Sequence, residues 1–455
     1  MAAVAVPASI QKAMAPAPPV VEIPTPKWLS GSVMLVWLLA VAFVITAVVA
    51  VREHRTALKA VANDSAKSVI AAERIAAALA DMDANAANGL LSAQQKEASV
   101  AAYNKSRGQM TDALVDAARN ITFDGEEVEI KALAKNSGIY GERVEAAFTL
   151  QNGNAPAALS KYLSAAQLLD KTLMPGARNV DKINRDELDA SYKAISRNSA
   201  IQFALVWLAG LGMLAVLLRV QFFLSARTRR TLNPLCVLAT ALAFGLLLYT
   251  HHALSTVSHE LKVLKHDAFE SIHAVWQAKA AVYEANAQES RYLLDSQGAA
   301  EHQTRFQTLA QAIASDPEQL AKLKSNAPTS TGLLADELRN TTFTGERKAA
   351  LNAAGWWAKY IQVDTRIRAL ERSGQHEQAV QLCLGEETGQ SNWAFNGFIS
   401  ALDEVLKINQ AAFDQAAASG FEALDKFEWI AIILGLTAAL ACLFGVLPRI
   451  REYSV

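Results

Sequence analysis

Residues 28–51 read WLSGSVMLVWLLAVAFVITAVVAV, 24 residues without a charged side chain. A helix needs about 20 apolar residues to cross the hydrocarbon core of a bilayer, so this run predicts a membrane span. Three further runs repeat the pattern: 198–218 (21 residues), 231–250 (20) and 429–447 (19). The first run is too long for a signal-peptide core and lacks a small-x-small cleavage site, which predicts a retained signal anchor. The tail before it, residues 1–27, is rich in Pro, Ala and Val and is expected to be disordered.

The rest of the composition agrees. Hydrophobic residues make up 52% of the 455 and charged residues 19%, against about 25% charged in soluble domains. A long chain rich in Ala and poor in Gly and Pro predicts helix throughout. The net charge of −1 gives no electrostatic footprint for nucleic acid. Cys236 and Cys442 lie in apolar runs and Cys383 stands alone, so no disulfide framework, zinc cluster or CxxC pair is expected.

Residues 219–230 form a short loop with Arg219, Arg227, Arg229 and Arg230 and no acid. Short basic loops stay in the cytoplasm. Four spans then place both termini inside, in a multi-pass plasma-membrane protein, with residues 52–197 and 251–428 outside. The tail 448–455, with Arg449 and Arg451, agrees, although Arg52, Arg55 and Lys59 follow the first span on the outer side. The inner segments are too short to fold as a catalytic output domain, so any action inside the cell must go through a protein partner.

The chain carries an internal duplication. Arg119-Asn120-Ile121-Thr122-Phe123-Asp124-Gly125-Glu126 recurs as Arg339-Asn340-Thr341-Thr342-Phe343-Thr344-Gly345-Glu346. The helix after each odd span also matches: Leu58, Val61, Ala72, Ile75, Leu79 and Met82 fall on Leu261, Leu264, Val275, Ala278, Val282 and Ala285. Steps of three and four mark the core stripe of an amphipathic helix. Asp124 and Thr344 suit helix N-caps, which makes the octapeptide a helix–helix connection. Helices are predicted at 52–91, 95–119, 125–151 and 155–197, with a kink at Pro175-Gly176. In the second copy they are predicted at 251–295, 299–339, 345–373 and 375–428, with Pro317 and Pro328 interrupting the second of them. The first and last helix of each set run on into spans. The fold class expected is an all-α membrane protein with four spans and two extracytoplasmic four-helix bundles.

This arrangement resembles the four-helix-bundle sensor modules of bacterial chemoreceptors and histidine kinases. The tandem form with four spans and no output domain is similar to the actinobacterial GlnX family. The topology carries the resemblance, with the helix from Ile75 to Leu91 (including Leu79-Ala80-Asp81-Met82-Asp83-Ala84) and the ending Pro448-Arg449-Ile450-Arg451-Glu452-Tyr453. The resemblance implies a transducer that relays amino-acid availability from an extracytoplasmic binding protein to a cytoplasmic kinase.

Several residues invite a functional reading. His252, His259, His266 and His273 recur every seven residues. With Leu254, Val257, Leu261 and Leu264 as core positions they fall on the opposite face, the f position, as a solvated stripe or as a pH- or metal-responsive face toward another helix. Neighbours in such a stripe stand about 10.5 Å apart, too far to share one ion. Trp276, Trp356, Trp357 and Trp393 lie in the second copy, and 52–197 has no Trp. They read as bundle packing or as an aromatic-lined ligand site. Asp83 and its counterpart Asn286 flank the core stripe, as exposed edge residues or as ligand contacts. Gly435 and Ala439 form a small-xxx-small pair.

No HExxH, GxSxG, P-loop or dinucleotide fingerprint occurs, and the spans hold no interior charge. The expectation is therefore neither an enzyme nor a transporter, with no cofactor and no resident metal. Two functions remain: a membrane sensor and signal transducer, or a structural or accessory subunit of a larger membrane assembly, in which oligomers could form.

Overall fold

The computed structural model describes residues 25–228, 232–323 and 327–452. The expected tail up to residue 24, Arg229 and Arg230 of the basic loop, and Tyr453 lie outside the described residues. Among those residues there is no strand. Four helical stretches, Pro26–Leu91, Ala155–Ala226, Pro234–Leu294 and Ser391–Glu452, are long and apolar enough to cross a membrane.

The chain forms two compact units. Of the described residues, the apolar unit holds 25–48, 204–228, 232–250 and 428–452. Its helical parts come from α1 (Thr25–Lys59), α6 (Met174–Thr228), α7 (Pro234–Lys262) and α15 (Phe427–Glu452). Leu38, Ile45, Leu208, Phe222 and Ile433 turn outward from it, a surface that suits lipid rather than water. Small residues let its helices approach closely. A methyl group added to Gly435 would lie 2.4 Å from Val44 Cγ2, and one added to Gly210 would lie 2.8 Å from Leu247 Cδ1. Ala439 is buried in the same unit. Helix α7 starts at Pro234, which supplies a pre-set first turn, and Asn233 Oδ1 accepts there from the backbone N–H of Leu235.

The second unit holds 49–203 and 251–427, so both copies of the duplication fold together. The first contributes α2 (Ala66–Leu91), α3 (Lys96–Arg119), α4 (Glu126–Leu150), α5 (Ala155–Leu168) and the start of α6. The second contributes α8 (Glu270–Leu294), α9 (Ala299–Ile313), α10 (Pro317–Ala321), α11 (Leu333–Asn340), α12 (Glu346–Arg372), α13 (His376–Leu384) and α14 (Ser391–Ala423). All twelve positions of the two predicted stripes are buried. Each copy has its own core, one around Ile75, Leu79, Tyr140, Tyr162 and Leu173, the other around Val282, Trp357, Tyr360 and Phe398. The copies meet where α2 lies along α8. Ala76, Ala77, Ala80, Ala84 and Ala87 keep the α2 surface low there, and Trp276, Tyr283 and Ala280 of α8 pack onto the first core.

Several expected boundaries are corrected. The helix predicted at 299–339 is interrupted where its prolines were expected to interrupt it: α10 starts at Pro317, and Pro328 lies in the connection before α11; Gly332, ahead of α11, sits at φ 113°, and a methyl group there would lie 2.8 Å from the Ile313 carbonyl oxygen. The helix predicted at 375–428 breaks after Leu384 and again at Leu424–Lys426, where Lys426 takes φ 54°. The kink predicted at Pro175-Gly176 is relieved one turn earlier by a π-helical turn, Leu169–Leu173, which accommodates the carbonyl that proline leaves without a donor.

Two more π-helical turns were invisible to a 3.6-residue pattern: Ala60–Ser65 leading into α2 and Val263–Phe269 leading into α8. They occupy equivalent places in the two copies, and the shared octapeptide holds them. Asn120 Nδ2 donates to the Asp64 carbonyl at 2.7 Å and to Ser68 Oγ at 2.8 Å; Asn340 Nδ2 donates to the His266 carbonyl at 2.9 Å and to Ser271 Oγ at 3.0 Å. The N-cap assignment is corrected as well. The capping positions are Gly125 and Gly345, at φ 94° and 88°, which a side chain at Asp124 or Thr344 does not cap. Instead Glu126 Oε2 accepts from the Thr122 and Phe123 amides at 2.7 and 2.8 Å, and Glu346 Oε2 does the same for Thr342 and Phe343 at 2.6 and 2.8 Å. The octapeptide is a clamp that satisfies backbone groups at two helix ends and one π-turn.

Candidate functional site

A cavity of about 600 Å³ opens between the two copies, walled by α2 and α3 on one side and α8 and α14 on the other. Such a volume suits a small molecule. Its lining is polar and carries both signs of charge, with Asp81, Lys105, Lys279 and Asp403 among Asn85, Asn88, Asn286, Asn392 and Asn396. Trp276 and Phe395 supply aromatic surface.

The period of α2 and α8 aims these groups. Asp81 and Asn85, and Trp276, Lys279 and Tyr283, step by three and four along one helix face. Ser106 Oγ donates to Asp81 Oδ2 at 2.6 Å, and Asn85 Nδ2 donates to Oδ1 at 2.8 Å. Burial pushes the Asp81 carboxyl up to about 6, although those bonds and the lysines pull the other way. Lys279 Nζ donates to Asp403 Oδ1 at 2.5 Å and stands 4.8 Å from the Trp276 ring centroid. Asn286, 2% exposed, accepts from Asn88 Nδ2 at 3.4 Å.

The residues singled out from sequence separate here. Trp276 and Asn286 line the cavity. Trp357 does not: it is wholly buried in the second core, 5.2 Å from Tyr360 and 5.1 Å from Phe398 between ring centroids. Trp356 pairs edge-on with Trp393 at 4.9 Å, under Lys359, and leans on the bare backbone of Gly397.

Asp83 is not an edge residue. It is 2% exposed and pairs with Arg291 of α8, across the join between the copies. Tyr140 and Tyr162 hydroxyls donate to Asp83 Oδ1 at 3.3 and 3.2 Å, and Arg291 Nε donates to Tyr162 at 2.9 Å. The repeat relation that maps Asp83 onto Asn286 also maps Asn88 onto Arg291. The join therefore carries an ion pair at one of two equivalent places and an amide pair, Asn88 with Asn286, at the other.

The histidine stripe is also corrected. His252, His259 and His266 are exposed, but His273 is 4% exposed. The π-turn Val263–Phe269 adds a residue to the winding and rotates everything after it. His273 thereby leaves the outer face and turns into the join. Its Nε2 lies 3.1 Å from Glu73 Oε1 of α2 and 3.1 Å from Asp181 Oδ1 of α6. Burial opposes a charged imidazole, but the Asp181 and Glu73 carboxylates outweigh it and push His273 up to about 9. Glu73, Asp181 and Arg291 gave no signal in the sequence, because each is distant in the chain from the group it meets.

Comparison with known proteins adds one finding. A family model described as the actinobacterial sensor domain matches residues 57–193, the first copy. No curated protein and no solved structure matches the chain. The match, together with four helices apolar enough to span a bilayer, supports a multi-pass membrane protein that carries a sensor module of actinobacterial type.

Proposed function

We propose that this protein is a plasma-membrane signal transducer, not an enzyme, and that it takes a small zwitterionic metabolite of the amino-acid class in the cavity between its two repeats. The observation that carries this reading is the lining, where Lys279 and Lys105 face Asp81 and Asp403 beside Trp276 and Asn286. A carboxylate suits the lysines, an ammonium suits Asp81, and the amides suit either end. The resemblance to the actinobacterial GlnX family and the sensor-domain match support the same direction.

In this reading the repeats face outward and the basic loop and termini face the cytoplasm, where a protein partner receives the signal. A ligand held by both α2 and α8 favours one arrangement of the join over another. Helix α6 belongs to both units and provides a covalent route for the change. A polar cavity favours sensing over a purely structural role, which an apolar docking face would suit better.

The test is a thermal-shift and calorimetric screen of the full chain in lipid nanodiscs against amino acids and related metabolites. A ligand at a hundredfold excess over its Kd stabilises by about 2.7 kcal/mol. Binding that disappears in K279A and W276A variants of normal fold supports the proposal. Silence across the library, or a hit that ignores both substitutions, refutes it.

A further inference from the structure

We infer that Glu73, Asp181 and His273 form a binding site for a divalent transition metal of the zinc type. One ligand atom from each lies within 4.8 Å of the other two, and the His273 nitrogen is 3.1 Å from both carboxylate oxygens. In a tetrahedral zinc site with bonds of about 2.0–2.1 Å, neighbouring ligand atoms stand roughly 3.3 Å apart. The two distances to His273 thus already have the spacing of ligand atoms, and the carboxylate oxygens stand within 4.8 Å of each other. One imidazole and two carboxylates are a donor set that zinc-type ions accept, and they balance a divalent charge.

The surroundings fit. Glu73 and His273 are 6% and 4% exposed, so the ligands are held by packing rather than by chance on a surface. The side-chain amide of Gln277 lies 3.3 Å from the same His273 nitrogen and can turn its oxygen inward as a fourth ligand. Arg185, 3.4 Å from the ring, also pairs at 3.5 Å with Glu270, a carboxylate it shares with Lys265, and can turn toward that group when a metal occupies the site. The equivalent places in the other half of the join are Ile70 and Trp276, so the set exists at one of two related positions. Its ligands come from both repeats, and a bound ion would tie α2 and α6 to α8.

The test uses the full chain in nanodiscs, stripped with chelator and dialysed against Zn²⁺, with metal content and the optical spectrum of the Co²⁺ form as readouts. The expected result is one ion per chain and a tetrahedral Co²⁺ spectrum. H273A should abolish both, and E73Q, which keeps the shape of the side chain, should weaken binding by at least the roughly tenfold that even an outer ligand partner is worth. The triple variant H252N/H259N/H266N should bind as the parent does. No ion above the H273A level, undiminished binding in E73Q, or loss of binding in the triple variant would overturn the assignment. The first outcome would leave the cluster as a protonated histidine between two carboxylates.

Discussion

Replacing Asp83 by asparagine leaves the Arg291 guanidinium buried between the two repeats without its counter-ion. The side chains are 3% and 2% exposed, so water cannot take over. Breaking a buried ion pair by removing one partner costs about 3–5 kcal/mol, whereas replacing both partners by neutral groups is often close to neutral. D83N is therefore expected to lose about 3–5 kcal/mol. D83N/R291M should recover most of it, because methionine fills much of the arginine volume and the new amide oxygen can still accept from Tyr140 and Tyr162. At roughly 2 °C per kcal/mol for a domain of this size, D83N melts about 6–10 °C below the parent and the double variant within a few degrees of it. Tryptophan fluorescence of the full chain in nanodiscs reads the transition, since Trp276 and Trp357 lie at and beside the join. Additive losses in the double variant, with a coupling energy under about 0.5 kcal/mol, would refute the idea that this pair holds the copies together.

Three further outcomes are expected. N120A and N340A each strip a donor from a π-turn carbonyl and should cost about 1–3 kcal/mol in melting experiments; a neutral effect of both would show that the clamp is dispensable. Burial, and then the charge of Glu346, pushes the Glu337 carboxyl up to about 8. The folded state then binds a proton that the unfolded state, with its glutamate near about 4.3, has released. That contribution to stability is complete at low pH and is lost as pH rises from about 4.3 through 8. E337Q should flatten the melting profile over this range and melt above the parent at about pH 9, and an unchanged profile would count against the buried acid. G125A places a side chain at φ 94° and should lower the melting midpoint by an amount equivalent to about 1–3 kcal/mol, while G138A, in open space on α4, should not.

Much of this fold was readable because its signals are local. Runs of 19–24 uncharged residues name the spans, and steps of three and four name the buried stripe from Leu58 to Met82 and from Leu261 to Ala285. The breaks in the second copy were harder. Gly332 and Lys426 stand at positive φ just ahead of α11 and α15, and Gly385 follows the end of α13, through backbone geometry set by their neighbours, which composition does not record.

The candidate site was legible only in part. Trp276 and Asn286 were found because they depart from the pattern of the first copy. Trp357 departs from it equally and packs in a core, and Asp83 looked like an edge until Arg291 covered it. His273 belonged to a seven-residue stripe until a π-turn shifted its phase, a single inserted residue that turns a solvated group into a buried one.

The sequence by itself determined an all-helical membrane chain built from two copies, since hydropathy and periodicity act within one helix at a time. The tertiary structure alone decided that the copies join along α2 and α8, and with that join came the polar cavity, the Asp83–Arg291 pair and the Glu73–Asp181–His273 cluster. Each of these needs side chains about 90 to 320 residues apart, Asp83 from Arg291 and Asp81 from Asp403 among them. Local propensity cannot pair groups that only packing brings within reach.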